Sequence, residues 1–278
     1  MGKYEDLVVQ NKKYWWQYMP WKEVQARAKV CDIALLPMGA IEQHGPHLPT
    51  GHDTLQLFPM MEKIAEKTGA MILPCPWYGA HPAHHWKFPG TIPLQNDTFK
   101  ALVKDIVRGA SIAGYNKFII FFGHGQKFAA MPVAQELGIE GYFCLSVMFE
   151  DMVRDVHHTV MEMPYWHADE SETSIALYTH GDYVDMSKAA AEYPTPMLDR
   201  KYVATPSDNA LNKILRFDEG TTSFPEITDM KIGVIGNPLI ATKEKGERYV
   251  KLIVERFSEF LEHIKTKYPA GVKIPVTG

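Results

Sequence analysis

Along this chain, apolar runs of strand length alternate with longer stretches in which apolar residues return every third or fourth position. The short runs suit strands covered on both faces and the periodic stretches suit helices with one buried stripe, so the pattern predicts βα units on a mostly parallel sheet. "DIALLPMG" (32–39) reads as a first central strand. A helix capped by Asp53 or Thr54 should run to about Lys67 and close at Gly69, with Pro59 in its first turn. "MILPCPW" (71–77) reads as a second strand. Asn96 and Asp97 cap a further helix with Phe99, Leu102, Val103, Ile106 and Val107 on one face, ending near Gly114. "NKFIIFFGHGQ" (116–126) is a strand without polar alternation, followed by a helix in "KFAAMPVAQELG" and a strand in "GYFCLSVMF". "GVIGNP" (233–238) suggests a short return strand, and residues 243–267 a helix with Tyr249, Ile253, Phe257, Phe260, Leu261 and Ile264 on one stripe.

The reading is one α/β domain over residues 1–278, three layers deep (αβα), with a mostly parallel central sheet. An irregular excursion spans about 185–224, where Pro194, Pro196 and Pro206 interrupt any period. Composition changes little in this picture. Hydrophobic residues at 46% and charged residues at 22% are globular values. A formal net charge of -4 gives no basic field for a phosphate backbone, which argues against nucleic-acid binding. Cys31, Cys75 and Cys144 are far apart and lie in or beside apolar runs, so free buried thiols are expected. The N-terminal stretch is too polar for a signal peptide and no run of about 18 apolar residues occurs, so a cytoplasmic protein without a membrane span is expected.

The chemistry is concentrated at strand ends. "GAIEQHGPHLPTGHDT" (39–54) follows the first strand and carries Glu42, His44 and Asp53; "FFGHGQ" (121–126) ends the third with His124 and Gln126; "WHADESETS" (166–174) adds His167, Asp169, Glu170 and Glu172. In an open parallel sheet, ligands collect at the carboxyl ends of the strands. Should Glu42, Asp53 and Glu172 converge, each carboxylate pair about 5 Å apart would repel by roughly 3 kcal/mol at an effective dielectric near 20. Two divalent cations would offset that charge, ready a water for attack and polarise a substrate oxygen. Mixed imidazole and carboxylate donors suit zinc or manganese.

These motifs together resemble the creatininase (creatinine amidohydrolase) family, from about Ala34 to the "GVIGNPLIATKEKGE" segment. The resemblance implies that Glu42, His44, Asp53 and His124 are metal ligands, with Asp53 bridging two ions and Glu172 completing the second. It also implies a homo-oligomer, commonly a hexamer, acting on a small polar cyclic substrate. Two positions depart from creatininase: Gln126 stands where it has a glutamate, and Trp166 stands before His167 where it has another. With "YGAHPAHHWKFPGT" (78–91), these variants look more like the branch that hydrolyses a ring carbon–carbon bond of a diketo-inositol (3-dehydro-scyllo-inosose) in inositol catabolism. Lactam opening, as with creatinine, and deformylation of a formamidopyrimidine are the alternatives; a binding protein that keeps the fold is the non-enzymatic one.

His167 is the candidate general acid or base, because the leaving atom needs a proton and imidazole titrates near neutrality. His81, His84, His85, Trp86, Gln126 and Trp166 are candidate substrate contacts. Taken alone, a histidine after a strand is more often a structural residue; the surrounding carboxylates are what make His124 a ligand candidate. His47 and His52 read as neighbours, and His157, His158, His180 and His263 as surface residues. Glu170 and Asp169 compete with Glu172 for the ion. Trp15, Trp16 and Trp21 should clamp the N-terminal segment onto the body or a partner subunit. "GHGQ" lacks the lysine of a P-loop, and no serine or cysteine occupies a nucleophile elbow.

Overall fold

The computed structural model describes residue 9 and residues 11–82, 85–86, 88–194 and 230–276. Among these residues four parallel strands, β1 (Ile33–Met38), β2 (Met71–Ile72), β3 (Lys117–Phe122) and β4 (Phe143–Met148), form one sheet in the order β2-β1-β3-β4. Every residue of β1 and β3 is buried, as expected of apolar strands covered on both faces, with Lys117 at the start of β3 the one charged exception. Among the described residues, the α-helices are α1 (Trp21–Ala28), α2 (His52–Leu55), α3 (Leu57–Thr68), α4 (Asn96–Ile112), α5 (Lys127–Ile139), α6 (Glu170–Thr179) and α7 (Lys243–Lys267). The mostly parallel sheet flanked by helices is the expected architecture.

The connections determine where a site can form. From β1 the chain steps outward through α3 to β2, then returns across β1 through α4 to β3 and continues through α5 to β4. Chain order therefore reverses between β1 and β3, and the loops leaving those two strands diverge to open a crevice. Behind the sheet, α7 packs against α3 and α6. Its Tyr249, Ile253, Phe257, Leu261 and Ile264 are buried, and Phe257 stacks on Phe121 of β3 at 4.7 Å between ring centroids. Each such side chain contributes about 1.5–3 kcal/mol by leaving water.

At the opposite, amino ends of the strands a buried ion pair ties the molecule together. Lys117 Nζ lies 2.7 Å from Asp32 Oδ1 and 2.9 Å from Asn116 Oδ1, and the other Asp32 oxygen accepts from Gly271 N at 2.8 Å. The C-terminal tail is thereby fastened beneath the sheet. At the N-terminal side Trp15 is 1% exposed and donates its indole N–H to Glu62 at 2.9 Å.

Several local expectations need correction. β2 stops at Ile72 because Pro74 and Pro76 lack the N–H that a ladder needs. The helix expected from Asp53 is two pieces, α2 and α3, broken at Gln56, and its N-cap is Gly51. Gln95, not Asn96 or Asp97, occupies the N-cap of α4. "GVIGNP" makes isolated antiparallel bridges from Ile235 to His167 and from Gly236 to Glu192, not a sheet strand. Of the three N-terminal tryptophans, Trp15 is buried, Trp16 half-buried and Trp21 69% exposed on this chain. The three cysteines are free, with Cys31 buried and the others half-buried. Residues 195–224 of the expected excursion, and His84, lie outside the described residues. No helix among the described residues is long and apolar enough to cross a membrane.

Candidate metal centre

The crevice between β1 and β3 holds a buried cluster of carboxylates and imidazoles. Glu42 and His44 come from the loop after β1, Asp53 from the first turn of α2, His124 from the loop after β3, and Glu172 from the first turn of α6. All five are buried. Two glycines let the α2 segment approach both strand ends. A Cβ on Gly39 would come within 1.9 Å of Thr54 Oγ1, and one on Gly123 within 2.7 Å of the Asp53 carbonyl oxygen. Only glycine at both positions admits the backbone that carries Asp53.

Asp53 stands between two imidazoles. Its Oδ1 is 3.1 Å from His44 Nε2 and its Oδ2 is 3.4 Å from His124 Nδ1. Glu42 Oε2 is 2.9 Å from His124 Nδ1 and 3.9 Å from His44 Nε2, while Glu172 Oε2 is 3.6 Å from His44 Nε2. Among the described residues, three overlapping groups have donor atoms within 4.8 Å of one another: His44, His52, Asp53 and Glu172; Glu42, His85 and His167; and Glu42, His81 and His124.

Backbone carbonyls fix which ring nitrogen faces inward. His44 Nδ1 lies 3.0 Å from Glu42 O, and His124 Nε2 lies 2.9 Å from Ala80 O. A carbonyl oxygen only accepts, so each outer nitrogen carries the proton it donates, as in ligating histidines held by an outer hydrogen bond. The inner nitrogens are then the ones available to a cation. Both oxygens of Asp53, Glu42 Oε1 and His44 Nε2 are buried without a well-aligned hydrogen bond. Such orphaned atoms facing one another fit a cation and fit ordinary packing badly.

Burial opposes charge on His44 and His124, yet the facing carboxylates outweigh it. Asp53, Glu172 and Glu42 lift His44 to about 10, and Glu42 and Asp53 lift His124 to about 9. Burial pushes Glu172 up to about 8. Its Oε1 accepts from Tyr165 at 2.6 Å, and Oε2 accepts from Ala168 N. Ala168 has φ +49, the left-handed region that costs a non-glycine residue about 1–2 kcal/mol. That turn sets His167 on one side and α6 on the other.

The rivals of Glu172 are otherwise engaged. Asp169 caps α6, accepting from Ser171 N at 2.8 Å and Glu172 N at 3.1 Å. Glu170 accepts from Glu162 N and Met163 N and pairs with Lys245, away from the crevice. His167 Nε2 lies 2.8 Å from Gln43 O and 3.1 Å from Gln43 Nε2, and Nδ1 faces Glu42 Oε2 at 3.8 Å and Glu172 Oε2 at 3.9 Å.

The candidate substrate contacts divide. His85 Nδ1 reaches Glu42 Oε1 at 3.1 Å, and the His81 ring lies 4.6 Å from that of His124. Trp86 is 46% exposed and donates its indole N–H to His81 O, whereas Trp166 is half-buried beside His167. Gln126 is fully buried: its Oε1 accepts from Ala80 N at 3.1 Å, and its Nε2 donates to Gly39 O at 3.3 Å and Met38 O at 3.4 Å. It is a strut between loops. A neutral amide can donate and accept at once, which explains why this position is not a glutamate here.

Two histidines expected at the surface are buried. His157 lies between Tyr249 Oη at 2.9 Å and Met163 O at 2.7 Å. His180 lies 3.1 Å from His52. His52, Tyr165, Gln43 and His180 were not legible as site residues. His52 was obscured because successive helical residues usually face different ways.

A parallel α/β sheet with carboxylates and imidazoles buried at its switch point places a candidate metal centre where open α/β sheets bind their ligands. The creatininase family pattern, described as creatinine amidohydrolase, matches residues 17–261, and the chain belongs to that family. It is 29% identical over 271 residues to a 3-dehydro-scyllo-inosose hydrolase of Thermotoga maritima, covering 94% of this chain and 86% of the relative. It is 26% identical over 265 residues to the creatinine amidohydrolase of Pseudomonas putida, covering 87% and 93%. A solved structure from Bacteroides fragilis, described as a putative creatinine amidohydrolase, superposes with a TM-score of 0.74 at 26% identity, covering 91% of this chain and 97% of that one. These curated relatives are hydrolases, and this chain is a hydrolase of the same family.

Proposed function

We propose that this hydrolase uses two divalent cations, zinc or manganese, to open a small polar ring, and that its substrate is a diketo-inositol cleaved at a carbon–carbon bond. The observation that carries the two-ion reading is Asp53, whose two oxygens face different imidazoles, His44 at 3.1 Å and His124 at 3.4 Å. Glu42, His44, Asp53, His124 and Glu172 would hold the pair. When bound, such cations lower the pKa of water and polarise a carbonyl.

The chain's own residues supply the rest. Glu42, Asp53 and Glu172 balance the positive charge, and the buried crevice strengthens every electrostatic contact within it. Ring opening adds water across one carbon–carbon bond: its oxygen ends in a carboxylate, and the neighbouring ketone takes the electron pair as an enolate. A proton must then reach the released carbon. In this reading His167 moves it, with Nδ1 facing the carboxylates and Nε2 held at the Gln43 backbone and side chain. His81 and His85 would contact the ring's oxygens, while Trp86 and Trp166 wall the entrance.

The carbon–carbon reading is supported by the 29% identity to a relative of that named activity along 94% of this chain, and by the neutral Gln126 where a glutamate was expected for creatinine. A single domain, a homo-oligomer (a hexamer by family resemblance) and a cytoplasmic location belong to the same proposal. Purified protein reconstituted with zinc or manganese should be offered a diketo-inositol, creatinine and a formamidopyrimidine, with products read by mass spectrometry. A ring-opened keto acid from the first alone supports the proposal; release of formate, or creatine from creatinine, refutes it. Asp53→Ala should reduce bound metal from two ions per chain to one or none.

A further inference from the structure

His52 lies beside His44, with 4.8 Å between ring centroids, and its surroundings dictate where its proton resides. The chain of hydrogen bonds begins at Thr179, whose hydroxyl donates to Ile175 O at 2.8 Å. That spends the hydroxyl's one proton. Thr179 Oγ1 also lies 2.8 Å from His180 Nδ1, so there it accepts, and His180 carries its proton on Nδ1. A neutral His180 then presents a bare Nε2, which is 3.1 Å from His52 Nδ1. His52 must donate to it. The proton of His52 is therefore on Nδ1, and its Nε2 is a bare lone pair.

That lone pair has no hydrogen-bond partner, and His52 is fully buried. With Nδ1 committed to His180, Nε2 is the nitrogen His52 can offer to the group it forms with His44, Asp53 and Glu172. An acceptor held without a donor beside two carboxylates is unfavourable unless a cation sits among them. The arrangement repeats that of His44 and His124, where the outer N–H is anchored and the inner nitrogen faces the cluster.

We infer that His52 is a further metal ligand, joining His44, Asp53 and Glu172 through Nε2, and that Thr179 and His180 form a relay that holds it in the ligating tautomer. Two nitrogens and two carboxylates suit zinc or manganese, and cobalt(II) serves as a visible probe of such a site. The inference rests on the metal reading above, and its test separates the two.

Metal-free full-length protein and its His52→Phe and Thr179→Val variants should be titrated with cobalt(II), following visible absorption and stoichiometry, with circular dichroism as the check on folding. The wild type should take up two equivalents. His52→Phe should weaken one of them by about 100-fold and alter its absorption band, and Thr179→Val should weaken the same one by about 10-fold. Cobalt bound by His52→Phe with wild-type affinity and spectrum overturns the inference, and a wild type that binds none overturns the metal reading itself. If His52→Phe does not fold, the wild type decides through its ring-nitrogen resonances. A shift of His52 Nε2 on zinc binding supports ligation, and an unmoved resonance refutes it.

Discussion

Tyr165 donates its hydroxyl to Glu172 at 2.6 Å, so the loop before α6 and the first turn of α6 meet on one carboxylate oxygen. Tyr165→Phe would leave that buried oxygen without its donor. The expected loss is about 1–3 kcal/mol of stability, seen in urea melts of the metal-free protein, together with a fall in zinc affinity of about 10–100-fold. Unchanged values for both would show that the hydroxyl does not orient Glu172.

The metal-free chain should be most stable near pH 6.5. His44 at about 10 and His124 at about 9 are raised above the ordinary 6.5, so the stability they contribute is present below pH 6.5 and lost as pH rises through those values. Glu172, raised to about 8 from 4.5, loses its share in the same direction. Burial lowers His47 to about 4 and His180 to about 3, and their share is lost as pH falls below 6.5. Between pH 6.5 and 9 the metal-free protein should lose about 2 kcal/mol or more, and zinc should abolish that alkaline loss. Thermal melts across pH, with and without zinc, check both limbs.

Gln126→Glu should destabilise the chain even though it adds an acidic residue beside the centre. A carboxylate cannot donate to Gly39 O and Met38 O, and the charge would be buried with it. A loss of at least about 2 kcal/mol is expected in chemical denaturation. Equal stability would mean that the loops have another strut.

Asp32→Ala should cost about 3–5 kcal/mol, because it strands the fully buried Lys117 ammonium and frees Gly271 N. Joint replacement by Asp32→Leu and Lys117→Met should recover much of that loss. Comparing the melting temperatures of the single and double variants tests both statements.

Much of this was legible in the sequence because it follows from local chemistry. The apolar runs 33–38 and 118–122 and the stripe of α7 gave strands and a helix directly, and the acidic and imidazole residues after β1 and β3 marked the crevice. What escaped depends on distant partners. Tyr165, Gln43 and Gln126 act through hydrogen bonds whose partners only the fold supplies. His157 and His180 looked like surface residues because nothing nearby in sequence hints at Tyr249 or His52. α6 was missed because its buried face is polar: Glu170, Ser171, Glu172, Thr173 and Ser174 are all buried, so no apolar period announces it.

The anchoring of Gly271 to Asp32 beneath the sheet bears on practical use of the enzyme. Because the tail is pinned at the amino ends of the strands while the chemistry lies at their carboxyl ends, material attached after residue 271 departs from the far side. Immobilisation on an electrode or bead through that tail should leave the reactive mouth facing the solution.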